Sequence, residues 1–63
     1  MNLYIAASEV RIGDVILKHY AEFRVFATYV TRRGNVALCV DKAPFEFRHR
    51  PETEVLVRRE EPR

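Results

Sequence analysis

The chain has very little of the residues that disulfides, zinc sites and phosphate loops require. Its 63 residues include one cysteine, two glycines, three prolines and no tryptophan. The single Cys39 has no partner for an intramolecular disulfide, and no cluster of Cys and His is present to hold a structural zinc. Two glycines are too few for a glycine-rich phosphate loop. These absences exclude a disulfide scaffold, a zinc module and a nucleotide-binding loop.

Long hydrophobic runs are also missing. No apolar stretch approaches the roughly 20 residues that cross a bilayer as a helix. Residues 1–8 carry no basic residue ahead of their short apolar patch, so they do not have the form of a signal peptide. Together with the lone cysteine, which suits a reducing compartment, these features lead us to expect a soluble cytoplasmic protein without a membrane partner.

Charge of one sign is only slightly in excess. Eleven basic residues against nine acidic ones give a formal net charge of +2, and all the basic residues except Lys18 and Lys42 are arginines. Arginine makes bidentate and stacking contacts that favour an interaction surface, whereas a GC-rich genome would produce the same bias without any function. So small a net charge is weak evidence for nucleic-acid binding, because such proteins usually carry a concentrated basic field.

The hydrophobic pattern predicts a single all-β domain over residues 1–63. Helical spacing is poor, and runs of alternating or β-branched residues recur every eight to twelve residues between Gly, Pro and Asp. A domain of this length buries only about 60% of the surface of its unfolded chain. We expect a frayed tail over 60–63. The other predicted elements are a leading strand Leu3–Ala6, a turn Ser8–Arg11 capped by Ser8, and strands Asp14–His19, Glu22–Arg33, one beginning at Pro44, and Val55–Arg59.

Gly34-Asn35 is the best hairpin signal, because a two-residue hairpin needs positive φ at both central positions. With that loop, Arg33 faces Val36 and Tyr29 faces Val40. The core face would then hold Phe23, Val25, Ala27, Tyr29, Thr31, Val36, Leu38 and Val40. The strand Glu22–Arg33 is too long to stay flat in so small a domain, so we expect a bend or a bulge. In the next strand, Phe45, Phe47 and His49 share the inward parity, and Pro51–Glu54 is expected to form a 3₁₀ turn.

The order of these features resembles an SH3-like barrel. The resemblance rests on Gly13-Asp14-Val15-Ile16, Gly34-Asn35, Phe45-Glu46-Phe47 and residues 51–57, and it spans nearly the whole chain. The chain is also similar to the short, Arg-rich SH3-like proteins of actinobacterial phages and their hosts. The resemblance implies a five-stranded barrel with a 3₁₀ turn before the last strand, and the host cytoplasm as location if a phage encodes it. Such barrels bind RNA, DNA, peptides or other proteins, so the fold does not select a function. Proline-motif binding is not expected, since the chain lacks tryptophan.

Side chains able to catalyse a reaction are few and scattered. His49 lies between Arg48 and Arg50, whose positive charges disfavour a protonated imidazole. It has the same inward parity as Phe45 and Phe47 of the same predicted strand, so we expect its side chain to be partly buried. Ser8 is the only serine, and its expected role as a turn cap leaves neither histidine with a nucleophile. Structural roles are likewise assigned to His19, Asp14, Asp41 and Cys39. The sequence therefore predicts a protein that is not an enzyme, with no catalytic residue, metal, cofactor or small-molecule substrate.

Two binding hypotheses remain, of which a protein partner or self-association comes first. The second face of the long hairpin carries Phe26 and Val30, which a single small core does not cover completely, with Arg24 and Arg32 at the rim. Aromatic residues and arginine are enriched in protein interfaces. In the alternative, a strongly coiled strand buries Phe26 and Val30 as well. A bulge between Val25 and Val30 would reverse the parity beyond it and expose Tyr29 instead.

The second hypothesis is nucleic-acid binding through arginines on strand faces and the hairpin tip. Small barrels bind single strands by combining a basic groove with aromatic stacking, for which Phe26 or Tyr20 would be the platform. Five glutamates dilute this field, so the hypothesis requires the arginines to cluster on one face. The residues concerned are Arg24, Arg32, Arg33, Arg48, Arg50 and Arg58.

Overall fold

The fold consists of six β-strands and one short 3₁₀ helix. The computed structural model describes residues 1–59, and within that range it contains no α-helix. The all-β prediction is therefore confirmed. The elements are β1 (Asn2–Ala6), the 3₁₀ helix (Ala7–Glu9), β2 (Val15–Lys18), β3 (Ala21–Val30), β4 (Val36–Val40), β5 (Glu46–His49) and β6 (Glu54–Arg58).

All strand pairs are antiparallel and form one six-stranded sheet in the order β1-β6-β2-β3-β4-β5. Strands β2 to β5 follow one another as a meander, and the last strand lies between β1 and β2. There are six strands rather than the five expected from the resemblance. In the part of the chain that is described, no strand pairing joins β1 to β5, so the sheet is open and both are edge strands.

Strand β3 changes partner at a bulge. Its first residues, Ala21 to Arg24, pair with β2, and from Val25 onward it pairs with β4. The register shifts between Val25 and Ala27, which leaves Phe26 as the extra residue. The predicted bend of the long strand is thus confirmed, and its cause is that one strand serves two halves of the sheet that close over a common core.

The core lies between these two halves. Leu38, Val25 and Val57 are its largest fully buried side chains, and Phe47 packs edge-on against Phe23 with ring centroids 5.2 Å apart. Inward positions predicted for Val55, Val57 and Phe47 are confirmed, since all are buried. The inward position predicted for Phe45 is wrong: β5 begins at Glu46, so Phe45 precedes the ladder and is exposed.

The hairpin between β3 and β4 does not have the predicted two-residue loop. Val30 pairs with Val36, so five residues, 31–35, form the connection and the register differs from the predicted one. Thr31 closes this loop: its N–H donates to the Asn35 carbonyl at 2.8 Å, and its hydroxyl accepts the Asn35 N–H at 3.1 Å. Gly34 has a positive φ of 85°, but Asn35 does not. The two-residue turn requires both.

The tight two-residue hairpin lies instead between β2 and β3. Lys18 pairs with Ala21, and the intervening His19 and Tyr20 have φ values of 53° and 60°. Positive φ is unusual for residues other than glycine, although histidine tolerates it better than most. Sequence reasoning missed this turn because neither residue is a typical turn former, and it placed His19 in the strand.

Two further turn predictions need correction. The 3₁₀ helix comprises Ala7–Glu9 and has no side-chain cap, so Ser8 does not have the predicted capping role. Over residues 51–54 there is only a single hydrogen-bonded turn, from the Thr53 N–H to the Arg50 carbonyl at 3.0 Å. The fold's 3₁₀ helix packs against this turn, because Ala7 N–H donates to the Thr53 carbonyl at 2.8 Å. The tail predicted for 60–63 lies outside the described residues.

Candidate binding face

The side of the β3–β4–β5 sheet that faces away from the core carries the main concentration of exposed aromatic side chains. Two cross-strand rows define it: Tyr29, Ala37 and Arg48 lie side by side, as do Ala27, Cys39 and Glu46. Phe26 and Phe45 border the second row. We call this surface the aromatic face, defined by Phe26, Tyr29 and Phe45 above a floor of Ala37 and Cys39.

Tyr29 is fixed in place by a small polar cluster. Its hydroxyl donates a hydrogen bond to Glu46 Oε2, and Arg48 Nε donates to the same oxygen at 3.2 Å. The bond to Glu46 raises the pKa of the Tyr29 phenol, while the bonds from Tyr29 and then Arg48 lower the pKa of the Glu46 carboxyl. Ala37, between Tyr29 and Arg48 in its row, is fully buried although it faces outward. The cluster therefore covers Ala37, while Cys39, the other floor residue, stays partly exposed.

Phe26 and Phe45 border a shallow depression of about 230 Å³. Phe26 is 61% exposed because the bulge directs it out of the sheet, and Phe45 is 58% exposed. The Phe45 ring nevertheless rests edge-on against the buried Phe47, with centroids 5.6 Å apart. The depression is further lined by Cys39, Val40, Ala43, Pro44 and Glu46. Six of its seven lining residues are apolar, but polar atoms contribute nearly half of the exposed lining, so the depression offers a partner side chain both apolar contact and polar groups.

The four residues predicted to contact a protein partner are exposed but do not form one strip. The bulge separates Phe26 from Val30, because Val30 pairs with the core residue Val36 and so lies on the other side of the sheet. Arg24 lies before the bulge, where β3 pairs with β2, and its Nη1 donates to the Gly13 carbonyl at 3.2 Å. Arg32 lies exposed in the loop after β3. The alternative in which coiling buries Phe26 and Val30 is wrong for both residues.

Two residues of the face, Tyr29 and Phe45, are absent from the predicted partner-binding residues. Tyr29 was expected to be exposed only if β3 carried a bulge, and the bulge is present. Phe45 was assigned to the core by its parity with Phe47, yet Pro44 immediately before it marks a position outside the ladder. The proline was the available signal, since it has no N–H for strand pairing.

The six arginines proposed for nucleic acid differ in their surroundings. Arg48 and Arg58 form ion pairs with Glu46 and Glu22, at 3.2 and 2.7 Å. Arg24 donates to the Gly13 carbonyl, and among residues 1–59 no ion pair or side-chain hydrogen bond engages the other three, Arg32, Arg33 and Arg50. Arg33 and Arg50 border a cleft of about 450 Å³. We call the region of Arg32, Arg33 and Arg50 the basic end.

Asp14 belongs to a structural cluster that the sequence indicated only in part. It is 3% exposed and accepts the Arg11 N–H at 2.9 Å, as expected for a turn residue. Its carboxylate also accepts two hydrogen bonds from the Arg59 guanidinium, at 2.9 and 2.7 Å. The bond from Arg59 is the main reason that the pKa of Asp14 lies below its ordinary value. Both carboxylate oxygens are thus engaged within the protein.

The other chemically active side chains do not converge on a site. Burial, and secondarily the charge of Lys18, lower the pKa of His49, which is half-buried. Cys39 is a free thiol in the floor of the aromatic face. Over the described range 1–59, no group of three or more His, Cys, Asp or Glu side chains is placed to hold a metal ion. The same range contains no helix of the length and apolar character needed to span a membrane.

Comparison of the chain with known proteins found no family model, no curated protein and no solved structure that matches it.

Proposed function

We propose that the protein is a non-enzymatic binding module and that its aromatic face contacts a protein partner. The observation that carries the proposal is the grouping of three exposed aromatic side chains around Glu46: Phe26 and Phe45 border one depression with it, and Tyr29 donates a hydrogen bond to it. Aromatic residues and arginine are the side chains most enriched at the centre of protein interfaces. The depression bordered by Phe26 and Phe45, which Cys39 also lines, suits a partner that inserts a side chain there.

The rigidity of the face supports the same function. Tyr29 is held by Glu46, which Arg48 holds in turn, and Phe45 rests on the buried Phe47. Side chains that are ordered before binding lose less conformational entropy when the partner arrives. The face is therefore prepared for contact without rearrangement of the sheet.

We extend the proposal to fold family and compartment. A bent β3 shared between two half-sheets and a glycine corner before β2 are the features that support an SH3-like barrel. The single free cysteine supports a reducing compartment, the cytoplasm. Neither extension is needed for the binding proposal, which rests on the face alone.

Site-specific photocrosslinking tests the proposal. We expect p-benzoylphenylalanine at position 26 to capture a discrete protein adduct in cells of the source organism, and the Phe45→Ala substitution to weaken that adduct. The matched control places the same group at Val30, which is also exposed on β3 but lies on the opposite side of the sheet. Equal adducts from positions 26 and 30, or none from position 26, would contradict the proposal.

A second candidate function is nucleic-acid binding at the basic end. The observation in its favour is that Arg32, Arg33 and Arg50 have no acidic partner within residues 1–59, and two of them border one cleft.

Titration of duplex DNA and single-stranded RNA at two salt concentrations tests this second candidate. The slope of log K against log salt is about −0.9 per phosphate contact for duplex DNA, so R33A/R50A should flatten it by about two such increments. R48A, which removes an arginine already paired with Glu46, is the matched control. Absence of binding at low salt would exclude this candidate.

A further inference from the structure

Apart from the edges of β2 and β6 that diverge from one another beyond their two paired positions, three strand edges have no partner strand in the described chain, and two of these three are protected. The β5 edge carries Glu46 and Arg48 and is flanked by Pro44 and Pro51. After the bulge, β3 pairs only with β4, so its other edge is free. The bulge increases the local twist of this edge, which hinders pairing with a further, flat strand. Charged residues, prolines and bulges are the devices by which proteins block pairing at an edge.

The edge of β1 has none of these devices. Its five residues, Asn-Leu-Tyr-Ile-Ala, contain no charge, proline or glycine, and its ladder with β6 is regular over its whole length. Tyr4 at its centre is 70% exposed. This strand is therefore the one edge of the described sheet that is ready to accept another strand.

The backbone hydrogen bonds show which groups this edge offers. Arg59 N–H donates to the Met1 carbonyl at 3.0 Å, and Ala7 N–H donates to the Thr53 carbonyl at 2.8 Å. Residues 1 and 7 therefore direct their polar groups toward β6, and antiparallel pairing alternates along the strand, so Leu3 and Ile5 do the same. Asn2, Tyr4 and Ala6 consequently direct their N–H and carbonyl groups to the open side.

From this arrangement we propose that two copies of the chain associate by antiparallel pairing of their β1 strands about a two-fold axis at Tyr4. In this register Tyr4 pairs with Tyr4 of the second copy, and Asn2 pairs with Ala6 of the second copy. Each of the three outward residues donates and accepts one backbone bond, which gives six across the interface. A two-fold contact of this kind closes on itself and does not extend into a fibre.

The side chains suit a second copy as the occupant. Leu3 and Ile5, which are only partly buried against the core, become cross-strand partners of one another on the core side. The adjoining β6 strands add no like-charge conflict. Arg58, which is paired with Glu22, lies beside Asn2, and Glu54 lies beside Ala6, so antiparallel pairing puts Arg58 of each copy in the same row as Glu54 of the other, about three strand spacings away. Parallel pairing would instead put like charges in the same rows.

Sedimentation of the wild-type protein and of charged variants at position 4 tests the proposal. We expect the wild-type mass to rise toward twice the monomer mass between micromolar and millimolar concentration, since one strand pair is a small interface. Tyr4→Lys and Tyr4→Glu place like charges opposite each other, so each variant alone should stay monomeric. An equimolar mixture of the two should associate again. Tyr20→Lys makes the same change at a fully exposed residue in the turn between β2 and β3 and should associate like wild type.

Amide hydrogen exchange gives a readout that needs no variant. On concentration, exchange at Asn2, Tyr4 and Ala6 should slow, while Leu3 and Ile5, already bonded to β6, serve as internal references. A wild-type protein that remains monomeric at millimolar concentration would overturn the proposal. So would undiminished association of Tyr4→Lys, a mixture of the two charged variants that stays monomeric, or association without slowed exchange at Tyr4.

Discussion

Of the three carboxylate–arginine pairs within residues 1–59, those of Asp14 and Glu46 lie in contrasting surroundings. Asp14 is 3% exposed and accepts bonds from Arg59 and from the Arg11 backbone. Glu46 lies on an open sheet surface, bonded to Arg48 two residues away and to Tyr29 on a neighbouring strand. The first cluster joins the corner before β2 to the residue after β6, 45 positions along the chain. The second fixes side chains on the aromatic face.

The comparison shows that burial decides what such a cluster does. A buried charge that loses its partner is left uncompensated in a medium of low polarity, which is costly. An exposed charge that loses its partner is solvated by water, so the pair contributes little to stability. We therefore assign the Asp14 cluster to stability and the Glu46 cluster to the shape of the binding face.

The largest expected effect is that of Asp14→Ala. Removing the carboxylate leaves the Arg11 N–H and the partly exposed Arg59 guanidinium without their acceptor, so we expect a loss of roughly 3 kcal/mol in the free energy of unfolding. Urea denaturation measures it. Glu46→Ala is the matched control and should leave the denaturation midpoint close to that of the wild type. Equal shifts for the two variants would remove the distinction between the clusters.

The pH dependence of stability should distinguish the contribution of the Asp14 cluster from that of His49, which belongs to neither cluster. Because folding lowers the pKa of Asp14, its contribution is present above the ordinary value of 3.8 and is lost as the pH falls through the folded value. Folding also lowers the pKa of His49 from its ordinary 6.5, so the unfolded state takes up a proton first and stability begins to fall from that pH downward. Thermal unfolding should therefore show two acid steps. Asp14→Asn should remove only the lower step, and His49→Gln only the upper one.

A smaller effect is expected for Phe26→Ala, which tests whether the aromatic face is separate from the core. A buried phenylalanine costs about 3–5 kcal/mol on truncation, whereas an exposed one costs under about 1 kcal/mol. Because Phe26 is exposed, we expect the smaller value by urea denaturation. Phe47→Ala, which truncates a ring buried in the core, is the control for the larger loss. Similar losses for both would place Phe26 in the core.

The smallest change concerns the phenol of Tyr29. The hydrogen bond to Glu46 is the main cause of its raised pKa. Glu46→Gln replaces this charged acceptor with a neutral, weaker one, so the pKa should move back toward its ordinary value while stability changes little. Ultraviolet titration of tyrosinate measures the shift, with the wild-type protein as reference. Glu22→Gln, which removes an exposed carboxylate paired with Arg58, should leave the Tyr29 titration unchanged. A shift in that control would indicate a general charge effect.

Local chemistry was sufficient for part of the fold and of the face. The corner at Gly13 and Asp14, the inward pair Val55 and Val57, and the need for a bend in β3 follow from residue types and spacing. The register of β3 with β4 could not be predicted in this way. Asn35 lacks the positive φ that a two-residue turn needs, and Thr31 closes a longer loop instead. Phe45 was misplaced because the start of β5 depends on its pairing with β4.

The sequence by itself determined that the chain is all-β, where most strands lie, and that the long strand cannot stay flat, because periodicity and turn chemistry are local properties. Only the tertiary structure decided which aromatic residues face water, which arginines are paired, and that Arg59 reaches Asp14. These depend on the position of one bulge and on contacts between residues far apart in the chain. A shift of a single residue in register exchanges the two faces of a strand, so the surface is fixed only when the sheet assembles.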